Sequence, residues 1–367
     1  MSGLPAQTSD SAAGPLADWG LAERIARMIA LRDQPHVTRD QVAQLRSELR
    51  DTALRADGLA REVTGLGNGL PPATARVVGR GEWLRSNLAS IAWLVDPLAV
   101  QLMDRSDVSR SLARKALGAQ LGVVFGYLST RVLGQYEVLL PGDEEPGRLT
   151  LVGPNLLELE RSYLPSTNVT PSAFRMGVVL HELAHRLQFE SVDWLRPTLR
   201  HLVGQYLSET RLDPDRLRAT VDRLGELLRS ARQGLNVQQF LEAVLTPAQR
   251  DLMSRAQSMM SLLEGHGNVV MDWGAQRLSE RGDGQFEAAG VRQALNERRR
   301  RGSDRLLFKV LGLSMKAQQY TAGERFILAV EHSHGRDVFN TVWRDPENLP
   351  TGDELERPEQ WVRRVSR

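Results

Sequence analysis

The residues with the clearest chemical content are His181-Glu182-Leu183-Ala184-His185, an H-E-x-x-H run. Two histidines four apart on an α-helix stand one turn apart on one face. Both imidazoles can therefore bind one Zn²⁺ while the neighbouring carboxylate reaches a water on the metal. That chemistry is hydrolysis, with zinc as Lewis acid and Glu182 as general base, then acid. A catalytic zinc needs a third protein ligand, and a chain without cysteine must take it from His, Asp or Glu. Gln188 and Ser191 stand where the extended form H-E-x-x-H-x-x-G-x-x-H wants Gly and His, so the metzincin pattern is excluded.

A second segment, Leu262-Leu263-Glu264-Gly265-His266-Gly267-Asn268, supplies the alternative. Projected as a helix, it sets Met253, Ala256, Met260, Glu264, Gly267 and Met271 on one face, and a lone carboxylate on a methionine-rich face needs a cation. His266 points roughly the opposite way, alongside Met259, Val270 and Trp273. Glu264 is the leading third ligand and His266 the alternative. Tyr206, His201, His266 and Tyr320 are candidates to donate a hydrogen bond to a developing oxyanion. Asp272, two turns beyond Glu264, either orients a ligand imidazole or is an ordinary helix-face charge. His332-Ser333-His334 reads as an incidental surface pair.

These residues need helices to hold them. Thr170-Pro171 is a helix start, with Thr as N-cap and Pro at the first helical position, and the helix it opens to about Phe189 is apolar nearly all round. Such a helix is buried. Thr246-Pro247 starts the second helix in the same way, and Gly265 and Gly267 would let the two approach closely. Upstream, amphipathic patterns run from Leu21 to Leu31, Arg39 to Leu59 and Gly81 to Leu102, broken at Asp96-Pro97. The uncharged run Ala116 to Thr130 falls short of the roughly 20 residues that span a membrane. Its glycines at 118, 122 and 126 form a smooth stripe for a packed neighbour. Gln135 to Leu140 and Arg148 to Val152 give a hairpin signal, after which the pattern is helical to about Phe339. The fold class is mainly α (α+β), with a small β-hairpin preceding the metal helix. Residues 1–17 read as a disordered tail, 18–130 as a helical region, 131–344 as the metal-binding region and 345–367 as irregular, or the whole forms one compact domain.

Composition bounds the function. In 367 residues, 41% hydrophobic content is enough for a real core, and the net charge of +2 gives little reason to expect a nucleic-acid or anionic-membrane partner. Arg298 to Arg301 read as a solvated helix end or loop. Zero cysteines rule out disulfides and fit a cytoplasmic protein, and no secretion signal is visible.

HELAHRLQF at 181–189, Glu264-Gly265-His266 followed by Val270-Met271-Asp272, Gly134 to Tyr136, Val152 to Asn155 and Phe339-Asn340-Thr341-Val342-Trp343 together resemble the zincin-like metallopeptidase family of bacterial hydrolases. Some members of that family carry a label of association with deazaflavin-cofactor biosynthesis. The resemblance runs from about Asp18 to Trp343. It implies a mainly helical zincin-like fold and zinc-dependent hydrolysis, and leaves the substrate open.

The mechanism expected from the residues has Zn²⁺ on His181, His185 and Glu264, with Glu182 as base toward a peptide or amide substrate. The hairpin edge either aligns an extended peptide or only covers the core. The competing readings are a catalytically silent zincin-fold protein with structural zinc, acting as a binding or scaffold protein, and a helical scaffold in which the motif is accidental.

Overall fold

The computed structural model describes residues 14–32, 37–99, 107–142, 146–208, 247–282, 288–301 and 316–366. Thr246, the side chains of Tyr206, Tyr320 and Arg298 to Arg301, the end of the helix expected to reach Leu102, and most of the expected N-terminal tail lie outside the described residues.

The first third is helical, as its periodicity requires: α1 (Trp19–Arg32), α2 (Arg39–Thr64), α3 (Arg80–Val95) and α4 (Asp107–Ser129). Helix α2 begins with a capping box in which Thr38 and Gln41 satisfy each other's backbone N–H, and it ends at Gly65 in the left-handed conformation (φ 71°). Its buried residues Leu45, Leu49, Ala53, Ala56, Ala60 and Val63 recur three or four apart and lie in the main core. Helix α4 carries the glycine stripe, and α1 packs along it. A Cβ on Gly122 would stand 2.8 Å from the Ala22 carbonyl oxygen, so only glycine allows this approach to the fully buried Ala22 and Ala26. Among the described residues, no helix is long and apolar enough to cross a membrane.

The expected hairpin is present as β2 (Gly134–Glu137) and β3 (Arg148–Val152), antiparallel with Tyr136 opposite Leu149. A further strand, β1 (Ala75–Val78), pairs parallel with the other side of β3, giving the order β1-β3-β2. Four residues after a Pro-Pro pair carry too little alternation to announce a strand. β2 is an edge strand of this sheet. Because Val152 N–H donates to Leu133 O, the alternation of an antiparallel pair turns the backbone groups of Gly134 and Tyr136 away from β3.

The chain continues through α5 (Gly153–Ser162), α6 (Pro171–Ser191), α7 (Leu195–Ser208), α8 (Pro247–Glu280), α9 (Ala288–Arg301), α10 (Lys316–His334) and α11 (Arg336–Phe339). Residues beyond 345, expected to be irregular, form α12 (Gly352–Glu356) and α13 (Pro358–Val365). Thr351 and Glu354 cap α12 reciprocally, and Trp361 is fully buried, donating from its indole N–H to Asn348 O at 2.7 Å. One contiguous core runs from Leu45 in α2 to Val362 in α13, through Leu180 and Leu183 of α6, Leu262 and Val269 of α8 and Phe326 of α10. It crosses the boundary expected near residue 130, because α2 buries its apolar face against α6. Ala22, Ala26, Trp83, Leu84 and Leu88 of the N-terminal helices form a smaller cluster with Val78 and Val152.

Helices α8 and α10 meet backbone to backbone, because a Cβ on Gly323 would overlap the Ser261 carbonyl oxygen and one on Gly265 the Glu324 amide. Gly323→Ala should therefore destabilise the protein by about 1–3 kcal/mol or more, seen as a lower urea midpoint at unchanged slope. An unchanged midpoint would show that the helices do not cross here.

Candidate metal centre

Helix α6 opens as its sequence demands: Thr170 is extended and accepts from Ala173 N–H through its side chain, and Pro171 follows. Phe174, Leu180, Leu183, Ala184 and Leu187 are all fully buried, because α2 and α8 both pack against α6. Polar groups on such a helix must find partners inside the protein. Arg186 finds them in Asp57 of α2 at 2.9 Å, Glu190 one turn on at 3.0 Å, and the Pro71 carbonyl at 2.7 Å. This buried arginine ties the motif helix to α2.

On the other side of α6, three donor atoms converge. His181 Nε2 and His185 Nε2 are 3.2 Å apart, and the Glu264 carboxylate from α8 lies 3.4 Å from the first and 3.9 Å from the second. With zinc–ligand bonds of 2.0–2.2 Å, neighbouring ligands on a tetrahedron stand about 3.4 Å apart, so this donor set fits one zinc ion. It is also the chemical set that zinc takes, two imidazoles and a carboxylate. Among the described residues it is the group of His and acidic side chains gathered closely enough to hold a metal.

Glu182 lies beside the set with one oxygen, Oε2, accepting from the Tyr136 backbone N–H at 3.0 Å. Burial pushes its carboxyl up to about 7, the Glu264 carboxylate adds to the rise, and His185 and the Tyr136 amide oppose it. Tyr136 is held at its other end as well, its phenol donating to Glu190, and burial followed by that carboxylate raises the phenol's pKa. A cavity of about 540 Å³ opens over His181, Glu182, His185 and Glu264, walled on one side by Gly134 to Tyr136 of β2. The rest of its lining is mostly apolar, with Val178, Phe189, Leu199, Met260, Leu263 and Met271 among it.

The other residues singled out from the sequence go elsewhere. His266 is fully buried outside the cavity, with Trp273, Phe339 and Trp343 around it at 5.8, 5.7 and 5.1 Å between ring centres. Burial holds its pKa down to about 3, with the nearby His185, Arg336 and His181 adding to the effect, so the ring is neutral. That position suits neither a ligand nor an oxyanion donor in the cavity. Asp272 is held by Arg292 at 2.9 Å, a guanidinium it shares with Glu324, and burial raises its carboxyl. The ring that takes an orienting partner is His185, and the partner is Gln188, whose Oε1 lies 2.9 Å from His185 Nδ1. His201 is exposed, and His334 pairs with Glu359 at 3.2 Å at the end of α10.

Sequence reasoning missed the roles of Gln188 and of the Tyr136 amide in β2. A glutamine three residues beyond His185, inside an otherwise apolar helix, was the available signal for the first. The two glycines of α8 were expected to act together, but they face different neighbours. Gly265 meets α10, whereas a Cβ on Gly267 would stand 2.7 Å from the His181 ring. Gly134 has the matching role in β2, where a Cβ would lie 2.7 Å from the Glu182 side chain.

The sequence model of a family described as zincin-like metallopeptidase matches residues 17–362. Among solved structures, the chain is similar to one described as "a putative hydrolase with a novel fold" from Chloroflexus aurantiacus. The two share 29% identity over 96% of this chain and 99% of that one, with a TM-score of 0.68. No curated protein matches.

Gly267→Ala should leave the fold intact and weaken zinc binding about tenfold or more, by displacing the His181 ring that a ligand must hold still. Competition with a chromogenic chelator measures this. An affinity equal to that of the unaltered protein would show that the ring is not pressed against α8.

Proposed function

The chain belongs to the zincin-like metallopeptidase family, and on that premise we propose that it hydrolyses a peptide or amide bond, with Zn²⁺ held by His181, His185 and Glu264. The observation that carries this reading is the convergence of three donor atoms from two helices at 3.2, 3.4 and 3.9 Å, with a buried fourth group, Glu182, alongside. When bound, zinc supplies Lewis acidity, which polarises a carbonyl and brings the pKa of water toward about 7.

The protein's own groups then divide the remaining work. Glu182 takes a proton from the attacking water and passes it to the leaving nitrogen, so the same carboxylate is base first and acid second. Its Oε2 is anchored by the Tyr136 amide, while Oε1 accepts no hydrogen bond from the described residues and is available for that proton. The apolar part of the cavity wall lowers the local dielectric beside the reacting groups, which strengthens the electrostatic contacts there. β2 supports an extended substrate: its edge turns Gly134 N–H and C=O away from β3, at the wall of the cavity. The Tyr136 N–H is already taken by Glu182, so strand pairing with a substrate centres on Gly134.

Two substitutions test the reading. Glu264→Ala should lose zinc, measured as metal per protein in purified material. Glu182→Gln should keep the metal and lose at least about 10²-fold in turnover of a peptide or amide substrate. Full zinc in the Glu264 variant would remove that residue from the ligand set. Unchanged turnover in the Glu182 variant would remove that carboxylate from the mechanism, whereas zinc bound with no turnover by the unaltered protein would leave the metal a structural role in a silent zincin fold.

A further inference from the structure

We propose that Gln188 and His266 form a positioning relay that fixes the proton of His185 on Nδ1 and so aims its Nε2 lone pair at the cluster with His181 and Glu264. This rests on the zinc-binding reading of those three residues, and concerns how one ligand is prepared for the metal before it arrives.

The chain of donors and acceptors has one consistent solution. Gln188 Nε2 lies 3.2 Å from the Leu263 carbonyl, which can only accept, so the amide's NH₂ end points toward α8. Its Oε1 therefore faces His185 Nδ1, at 2.9 Å, and accepts the hydrogen that Nδ1 must carry. A neutral imidazole has one N–H, which leaves His185 Nε2 bare, 3.2 Å from His181 Nε2. The second hydrogen of the Gln188 amide points to His266 Nδ1 at 2.8 Å, so that nitrogen is the acceptor and the His266 proton sits on Nε2.

Among the described residues, His266 Nε2 has no hydrogen-bond partner, and the Trp273, Phe339 and Trp343 rings enclose it. A fully buried histidine with one nitrogen unsatisfied is poorly explained by packing alone, since a phenylalanine would fill the same aromatic space at no polar cost. What the imidazole adds is Nδ1, an acceptor that holds the Gln188 amide in one of its two orientations. Flipping the amide would set its oxygen against two acceptors, and would turn its NH₂ toward His185, favouring the tautomer with the proton on Nε2, where the lone pair is lost to the metal. Gln188 and His266 touch neither substrate nor metal and act through His185.

Long-range ¹H–¹⁵N spectra of the metal-free protein report each histidine's proton position directly. His185 should be protonated on Nδ1 and His266 on Nε2. Zinc affinity, read by chelator competition, should fall about 10–100-fold in Gln188→Met. It should stay within about threefold of the unaltered protein in Gln188→Glu, whose carboxylate still accepts from His185. In that variant the His266 proton should move to Nδ1 to meet the carboxylate, while the His185 proton stays on Nδ1. A His185 proton on Nε2 in the unaltered protein, or Gln188→Met affinity within about twofold of it, overturns the relay. Should Gln188→Met not fold, the spectrum of the unaltered protein decides alone. Failure of the unaltered protein to bind zinc would sink the proposed function, while the proton positions still settle the relay separately.

Discussion

The site depends on how closely α8 can pass α6. Imidazoles on one helix and a carboxylate on the other share a single ion only if the two backbones come near enough for short side chains to meet, and His181 has no room for a Cβ at Gly267. The path of α8 is set in turn from its other side, where Gly265 and Gly323 bring α10 into backbone contact. Residues two apart on a helix point about 200° apart, so Gly265 and Gly267 serve opposite neighbours while Glu264 reaches the cleft. The short run from Leu263 to Gly267 is thereby committed at every position: a carbonyl to Gln188, a carboxylate to the cluster, a glycine to each neighbour and an imidazole to the aromatic pocket.

Much of this was legible in the residues. The two histidines, Glu182 and Glu264 declare themselves because a carboxylate or imidazole on an apolar helical face has few bland explanations, and the hairpin because turn residues interrupt two alternating runs. What stayed hidden is relational. Nothing in the linear order links Gln188 to both His185 and His266, since the connection exists only when α8 lies across α6. For Asp272 spacing left two roles open, orienting a ligand or an ordinary helix-face charge, and its pairing with Arg292 from α9 fits the second. The C-terminal segment looked irregular because it is rich in proline, at 346, 350 and 358. Two of them, Pro346 and Pro358, begin helical turns, where a missing N–H costs nothing.

A second layer of support lies behind the cleft. Asp57 of α2 takes Arg186 from α6 and Arg61 from its own helix, and Arg186 also grips Glu190, which receives the Tyr136 phenol. These charges are buried but paired. Replacing one partner alone would leave another stranded, which is why such networks fix geometry more reliably than they add stability. Through it the motif helix, the long N-terminal helix and the sheet edge share one rigid frame.

Tyr136 is fastened twice to α6, by its amide to Glu182 and by its ring hydroxyl to Glu190, two helical turns further on. A slip of β2 by a single residue would turn its side chains to opposite faces and break both attachments at once. Strand alignment is therefore set at the cleft end. The connection back to β3 is fitted to the same ring, since a Cβ on Gly147 would overlap the Tyr136 hydroxyl and Leu140 is buried, so the chain leaving β2 and the chain entering β3 are both gauged against one tyrosine.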